Sequence, residues 1–295
     1  MTSKELVQKA LPSWHGRLAA HHISYLADGH VHRAVPYVAT DANVIAKKLS
    51  LMQADGVDIV ISTWQGVYAE SSNLDTVLMA AQCIEVGLQF ALLLDPWCAK
   101  LNAKGQDRSY TANVTASLQA PSTQAILNSP CYVPEKYVLD FNTGADLSAL
   151  GKSFPTVKFL AQGSGFSWIS IPQITDSPAR NAAAVANLKA QHANPAMKIA
   201  SFCESFDDSG MPLPAGVQSQ AAFDAAGGKR DLTQSVWGGP ARILESYAGQ
   251  FAQQQMATIN PSTPIIAILT QDDYDEQSSG PREKVLAEEL GITWP

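Results

Sequence analysis

Residues 41–97 read DANVIAKKLSLMQADGVDIVISTWQGVYAESSNLDTVLMAAQCIEVGLQFALLLDPW, and this stretch decides the fold. Thr40 or Asp41 is placed to cap a helix whose apolar positions, Val44, Ile45, Leu49 and Met52, recur at helical spacing. Gly56 ends that helix, as a glycine just past the last turn does, and Asp58 to Thr63 follows as a strand closed by Trp64, Gln65 and Gly66. The grammar then repeats. Ser72 or Asn73 caps a second helix with Leu74, Val77, Leu78, Ala81 and Ile84 on one face; Gly87 stops it, and Phe90 to Leu94 runs into Asp95, Pro96 and Trp97. Strands that are apolar almost throughout are covered on both faces, and successive helix–glycine–strand units of this kind wind in parallel.

Working outward, residues 1–22 read as an N-terminal extension, a short helix followed by a loop, with His15, His21 and His22 at the surface or in an entry loop. Ile23 to Ala27 is a short strand leading into Asp28-Gly29-His30-Val31-His32. Downstream, residues 111–128 are helical with Pro121 interrupting them, and Tyr137 to Leu139 is a strand ending in Asp140, Phe141 and Asn142. Ala145 to Leu150 is a short helix, Val157 to Ala161 a strand ending in Gln162, and Phe166 to Ile171 another strand. Pro178 opens an alanine-rich helix to residue 192, a position that suits proline. Lys198 to Phe202 is a strand, Pro240 to Met256 a helix, Ile265 to Leu269 the last strand and Glu283 to Leu290 the last helix. The count is about eight strands with helices between most of them. That pattern predicts an α/β fold, a single (β/α)8 TIM barrel spanning residues 1–295. A doubly wound open sheet is the rival, but no Gly-x-Gly-x-x-Gly follows the first strand. Residues 209–239 form a connection too long for a plain linker and read as an active-site loop.

With 46% hydrophobic and 16% charged residues, the 295-residue chain is rich enough in apolar side chains for a large core. The net charge of −7 argues against a nucleic-acid partner. No apolar run reaches membrane-helix length, so no membrane partner is expected. No leader is visible at the N-terminus, which favours a cytoplasmic or particle-associated protein over a classically secreted one. Cys83, Cys98, Cys131 and Cys203 form no C-x-x-C pair and read as buried free thiols.

The chemistry concentrates where the last strand stops. PIIAILTQDDYDE, residues 264–276, passes from an apolar run into Asp272, Asp273, Asp275 and Glu276. In a (β/α)8 barrel the reactive groups sit at the C-terminal ends of the strands. Those ends carry Asp28 and His30, Trp64 and Gln65, Asp95 and Trp97, Asp140 and Asn142, Gln162, Trp168, then Glu204, Asp207 and Asp208. Carboxylates and amides hydrogen-bond sugar hydroxyls, and indole faces stack on the apolar faces of pyranose rings. Glycoside hydrolysis needs two carboxyl groups whose pKa values are held apart. Asp273 and Glu276 are the best pair, with Tyr274 between them, and Glu204, Asp207 and Asp208 stand in reserve.

A metal-dependent amidohydrolase is the less favoured alternative. His30-x-His32 resembles the opening signature of those enzymes and Asp272 fits their closing aspartate, but no histidine ends a middle strand; His192 lies on a helix. No metal or other cofactor is expected. Serine hydrolase chemistry lacks its Gly-x-Ser-x-Gly elbow; Gly163-Ser164-Gly165-Phe166-Ser167 is only superficially similar.

Val35 to Asp95 resembles the first third of glycoside hydrolase families 71 and 99, and Gln271-Asp272-Asp273-Tyr274-Asp275-Glu276 is similar to their closing NEWHEG or NDYxEG motif. The resemblance implies a (β/α)8 glycosidase acting on an α-linked glucan, mannan or related carbohydrate. It also implies that the first and last acids of the family-99 E-x-x-E carry catalysis, here Asp273 and Glu276. Phe206-Asp207-Asp208 is similar to the GFDD turn of these enzymes, and Trp237 with Arg242 falls where a substrate-side pairing is expected. Trp64, Gln65, Asp95, Trp97, Asp140, Trp168, Asp272 and Tyr274 complete the expected substrate contacts. The chain departs from the motif at Gln277, where the family has glycine, and at Asp273, one methylene shorter than glutamate. A non-catalytic carbohydrate-binding barrel within a larger assembly is the alternative those departures allow.

Overall fold

The structure, a computed structural model, describes residues 2–22, 41–66, 70–100, 109–168, 178–202 and 247–269. In chain order these form α1 (Ser3–Ala10), β1 (Arg17–His22), α2 (Ala42–Ala54), β2 (Ile59–Trp64), α3 (Glu70–Val86), β3 (Gln89–Leu94), α4 (Pro96–Lys100), α5 (Tyr110–Gln119) and α6 (Pro121–Leu127). Then come β4 (Tyr137–Asp140), α7 (Leu147–Ser153), β5 (Lys158–Ala161), α8 (Pro178–His192), β6 (Ile199–Phe202), α9 (Tyr247–Met256) and β7 (Ile265–Ile268). The strands make one parallel sheet in the order β5-β4-β3-β2-β1-β7-β6, curled into a half-barrel with the helices outside.

The local rules behind the helices are visible. Asp41 caps α2 by accepting from Asn43 N at 2.7 Å, and Gly56 leaves the helix at φ 82°, a conformation that costs glycine little. Pro121 breaks the expected 111–128 helix into α5 and α6, because it sits at the first position of the second, where its missing N–H costs nothing. Helix α3 begins earlier than its expected caps: Ser72 and Asn73 lie inside it.

Two contacts tell the faces of the sheet apart. Ser62 Oγ lies 3.1 Å from Thr76 Oγ1 on α3, and Phe159 meets Phe154 at the end of α7, so these side chains face the helices. Strand alternation then turns Leu18, Val60, Phe90, Leu92, Val138 and Ile266 outward to the same layer. The inner face takes the intervening residues. It includes Ala19, Ala91, Ser201 and Ala267, small side chains that suit the concave side of a curled sheet. At its N-terminal edge Arg17 bridges to Gln89 Oε1 at 2.6 Å and to Glu135 at 2.5 Å.

The first strand is β1 at Arg17–His22, inside the span read as an extension; Ile23 to Ala27 lies outside the described residues. Helix α1 is no loose appendage either: Ser3 N and Oγ bond Asp55, and Lys4 reaches Asp58 at 2.7 Å, clamping the helix to the α2–β2 turn. The strand expected at Phe166 to Ile171 shrinks, within its described part, to one residue. Phe166 makes parallel bridges to Gln162 and to Ile199, and so touches both edges of the sheet.

A buried polar chain holds that residue's neighbour. Ser167 Oγ lies 2.8 Å from His192 Nε2, and His192 Nδ1 lies 2.7 Å from Thr258 Oγ1. Thr258 gives its hydroxyl proton to Gln255 O, so it accepts from His192 Nδ1–H, and Nε2 is left to accept from Ser167. Burial pushes the His192 pKa down to about 4, opposed in part by hydrogen bonding at Thr258.

Candidate active site

Parallel strands deliver the residues at their C-terminal ends to one edge of the sheet. On the inner face of that edge stand His21 of β1, Thr63 of β2, Asp95 after β3, Phe141 after β4, Gln162 after β5 and Trp168. His21 Nε2 lies 3.0 Å from Thr63 Oγ1. Trp168 meets His21 edge-on at 5.0 Å and packs on Phe141 at 4.7 Å and Phe166 at 6.4 Å. Its backbone is held from the helical side: Trp168 N donates to Gln191 Oε1 at 3.1 Å, and Gln191 Nε2 donates to Trp168 O at 3.3 Å. The indole, 7% exposed, is thus fixed among these aromatic and polar groups.

The expected site residues divide by side-chain direction. Trp168 stands on the inner face as described, and Asp95 and Gln65 are half-buried at the ends of β3 and β2. Trp64 and Asp140 turn the other way. Trp64 pairs with Leu94, and Leu94 pairs with Asp140, so all three point into the layer between strands and helices. Trp64 is 1% exposed and its Nε1 has no partner; Asp140 is 6% exposed and accepts from Thr143 Oγ1 at 2.5 Å. Burial raises the Asp140 pKa, and the Thr143 hydrogen bonds pull against it. Nearby Cys98 has its thiol pKa raised by burial first, then by Asp95 and Asp140. A strand end offers only alternate residues to the mouth, and these two fall on the wrong parity.

Trp97 lies on α4, its side chain outside the described residues, as are Glu204, Asp207, Asp208, Trp237, Arg242, Asp272, Asp273, Tyr274 and Glu276. The described strands that precede the acidic segments, β6 and β7, are neighbours in the sheet and end at the same edge. Among the described residues no group of three His, Cys, Asp or Glu side chains is placed to hold a metal; His30, His32 and Asp272 lie outside them. No described helix is long and apolar enough to cross a membrane.

Sequence reasoning missed His21, Thr63 and Phe141. His21 was hidden because RLAAHH lacks an apolar run, yet it is 2% exposed within β1. The available signal for Thr63 and Phe141 was parity: they alternate with Ser62 and Asp140.

No protein-family model matches the chain, and no curated protein matches it in sequence. Solved structures do match. The family-99 endo-alpha-mannosidase of Bacteroides thetaiotaomicron, in complex with bis-tris propane, aligns at 12% identity with a TM-score of 0.56, covering 90% of this chain and 87% of that one. A second structure of the same mannosidase aligns equally well, over 89% and 86%. At this identity the likeness shows a shared fold.

Proposed function

We propose that the chain is a (β/α)8 glycoside hydrolase acting on an α-linked polysaccharide or oligosaccharide of the mannan or glucan type. The observation that carries the proposal is the fold match along nearly the whole chain to an endo-alpha-mannosidase, coupled to the acidic closing motif at residues 271–276. The register supports a closed eight-stave ring, with the Phe166 segment as the missing stave. Followed from β1 through β2, β3, β4, β5, Phe166, β6 and β7, the pairings return to β1 eight residues from their start. That stagger belongs to the (β/α)8 barrel. Residues 1–295 then form one domain, and 209–239 a wall of the site.

In this reading Glu276 protonates the leaving oxygen and Asp273 acts as base or its equivalent. Glu204, Asp207, Asp208, Gln65, Asp95 and Asp272 orient sugar hydroxyls. Arg242 and Tyr274 flank the site, and Trp97, Trp168 and Trp237 supply stacking faces. Retaining and inverting sites differ in carboxyl separation, about 5–5.5 Å against 6.5–9.5 Å, so the shorter Asp273 bears directly on the stereochemistry. Glu276→Gln removes the acid while keeping shape and hydrogen-bonding capacity. Turnover of α-mannan or α-glucan should fall by about two orders of magnitude or more while the glycan still binds. The departures at Asp273 and Gln277 favour one second reading, a barrel that binds carbohydrate without cleaving it. Glycan binding without turnover by the parent chain would select that reading.

A further inference from the structure

The floor of the mouth holds an amide that the fold does not use. Gln162 follows β5 on the inner face, beside Phe166 and on the same face as Phe141 and Trp168. Its backbone is committed, because Gln162 N donates to Asp140 O at 3.3 Å. Its side chain is not: Oε1 is shut from solvent and has no hydrogen-bond partner, and neither end of the amide bonds a described residue. The residue as a whole is half-buried. A buried amide oxygen without a donor is destabilising, so a donor brought to it by a ligand or an ordered water is favoured. A leucine or methionine would fill the same space without that cost.

Its neighbours show the contrast. His21 has Thr63 Oγ1, and the Trp168 backbone has Gln191, so the polar groups around the floor are engaged. Phe141 and Phe166 have no N–H or O–H to give Gln162 Oε1, and the Trp168 indole N–H does not bond it. Rotation of the terminal torsion exchanges the oxygen and the nitrogen, so the end that faces the mouth is either the acceptor or the two-donor group. Vicinal sugar hydroxyls, each donor and acceptor at once, match that capacity.

We infer that Gln162 is a positioning residue for the glycan: its amide hydrogen-bonds a ring hydroxyl of the sugar resting on the Trp168 floor. The inference deepens the glycosidase reading and rests on it. The test is Gln162→Met in the full chain, with α-mannan and soluble α-glucan as probes, reading KM, kcat and the urea midpoint. Loss of one neutral hydrogen bond to the bound sugar raises KM about three- to ten-fold with kcat little changed. The urea midpoint holds or rises, because an orphaned oxygen has been removed. A purely structural Gln162 gives the opposite pair, a lowered midpoint with KM unmoved. Turnover by the parent with an unchanged KM in the variant overturns this assignment alone. A parent that neither cleaves nor binds either glycan overturns it together with the glycosidase reading.

Discussion

Acidification should loosen the tie between the Phe166–Trp168 segment and the outer helices through His192. In the folded chain the ring is neutral: Nδ1–H donates to Thr258 Oγ1, and Nε2 accepts from Ser167 Oγ. Protonation at Nε2 would put a hydrogen where Ser167 now donates. Burial holds the folded pKa down to about 4, against 6.5 for the exposed ring. Between those values the unfolded chain binds the proton and the folded chain does not. Stability from this group is therefore complete above pH 6.5 and drains away as pH falls toward 4. Linkage over that gap gives about 2.5 kcal/mol lost between pH 7 and pH 4.5. Other titrating groups, Asp140 among them, contribute to both proteins of a matched pair, so the comparison is parent against His192→Gln. Urea unfolding followed by tryptophan fluorescence at the two pH values measures it. The parent should be the more stable at pH 7, by about 1–2 kcal/mol for the disturbed network. That margin should vanish or reverse at pH 4.5. An equal margin at both pH values would mean that His192 does not titrate differently on folding.

Two further outcomes follow from backbone and thiol chemistry. Gly56 and Gly87 both sit at positive φ, 82° and 76°, but an added Cβ at Gly56 would lie 2.6 Å from Lys4 Cβ and at Gly87 would meet nothing within 4 Å. Gly87→Ala should cost about 1 kcal/mol of unfolding free energy from backbone strain alone, and Gly56→Ala about 2 or more because α1 must also shift. Equal urea midpoints for the two variants would show that the α1 contact is not felt. Cys83, Cys98 and Cys131 are buried, and burial is the largest cause raising the Cys83 and Cys98 thiol pKa values. Folded protein at pH 8 should leave all three unalkylated by iodoacetamide, read by peptide mass spectrometry, whereas urea should expose them at once. Rapid labelling of Cys83 in the folded state would contradict the packing of α3 on the sheet.

The units built from strong local signals were legible from residues alone. Asp41, Gly56 and Gly87 punctuate α2 and α3, and the runs at Ile59–Trp64 and Gln89–Leu94 have no polar face to confuse them. What escaped was decided by tertiary context. Strand β1 sets Ala19 and His21 on the inner face and Ala20 and His22 on the outer, all buried, so neither face shows an apolar stripe and composition alone reads the segment as loop. Side-chain direction at strand ends was the second blind spot. Trp64 and Asp140 have the chemistry of sugar contacts and the parity of packing residues, whereas Thr63, Phe141 and Gln162 have the parity without an obvious motif. The Ser167–His192–Thr258 chain joins residues far apart in sequence, and no periodicity announces it. The acidic motif at 271–276 and the segment 203–246 lie outside the described residues, so their roles rest on the resemblance and the fold.

The proposed cleavage of α-linked glycans is measured by the release of new reducing ends. The full chain incubated with a panel of α-mannans and α-glucans, with its Glu276→Gln variant alongside, should generate reducing ends from at least one member and lose that release in the variant. Undiminished release by the variant would exclude Glu276 as the acid, and none from any substrate by the parent would exclude the hydrolase.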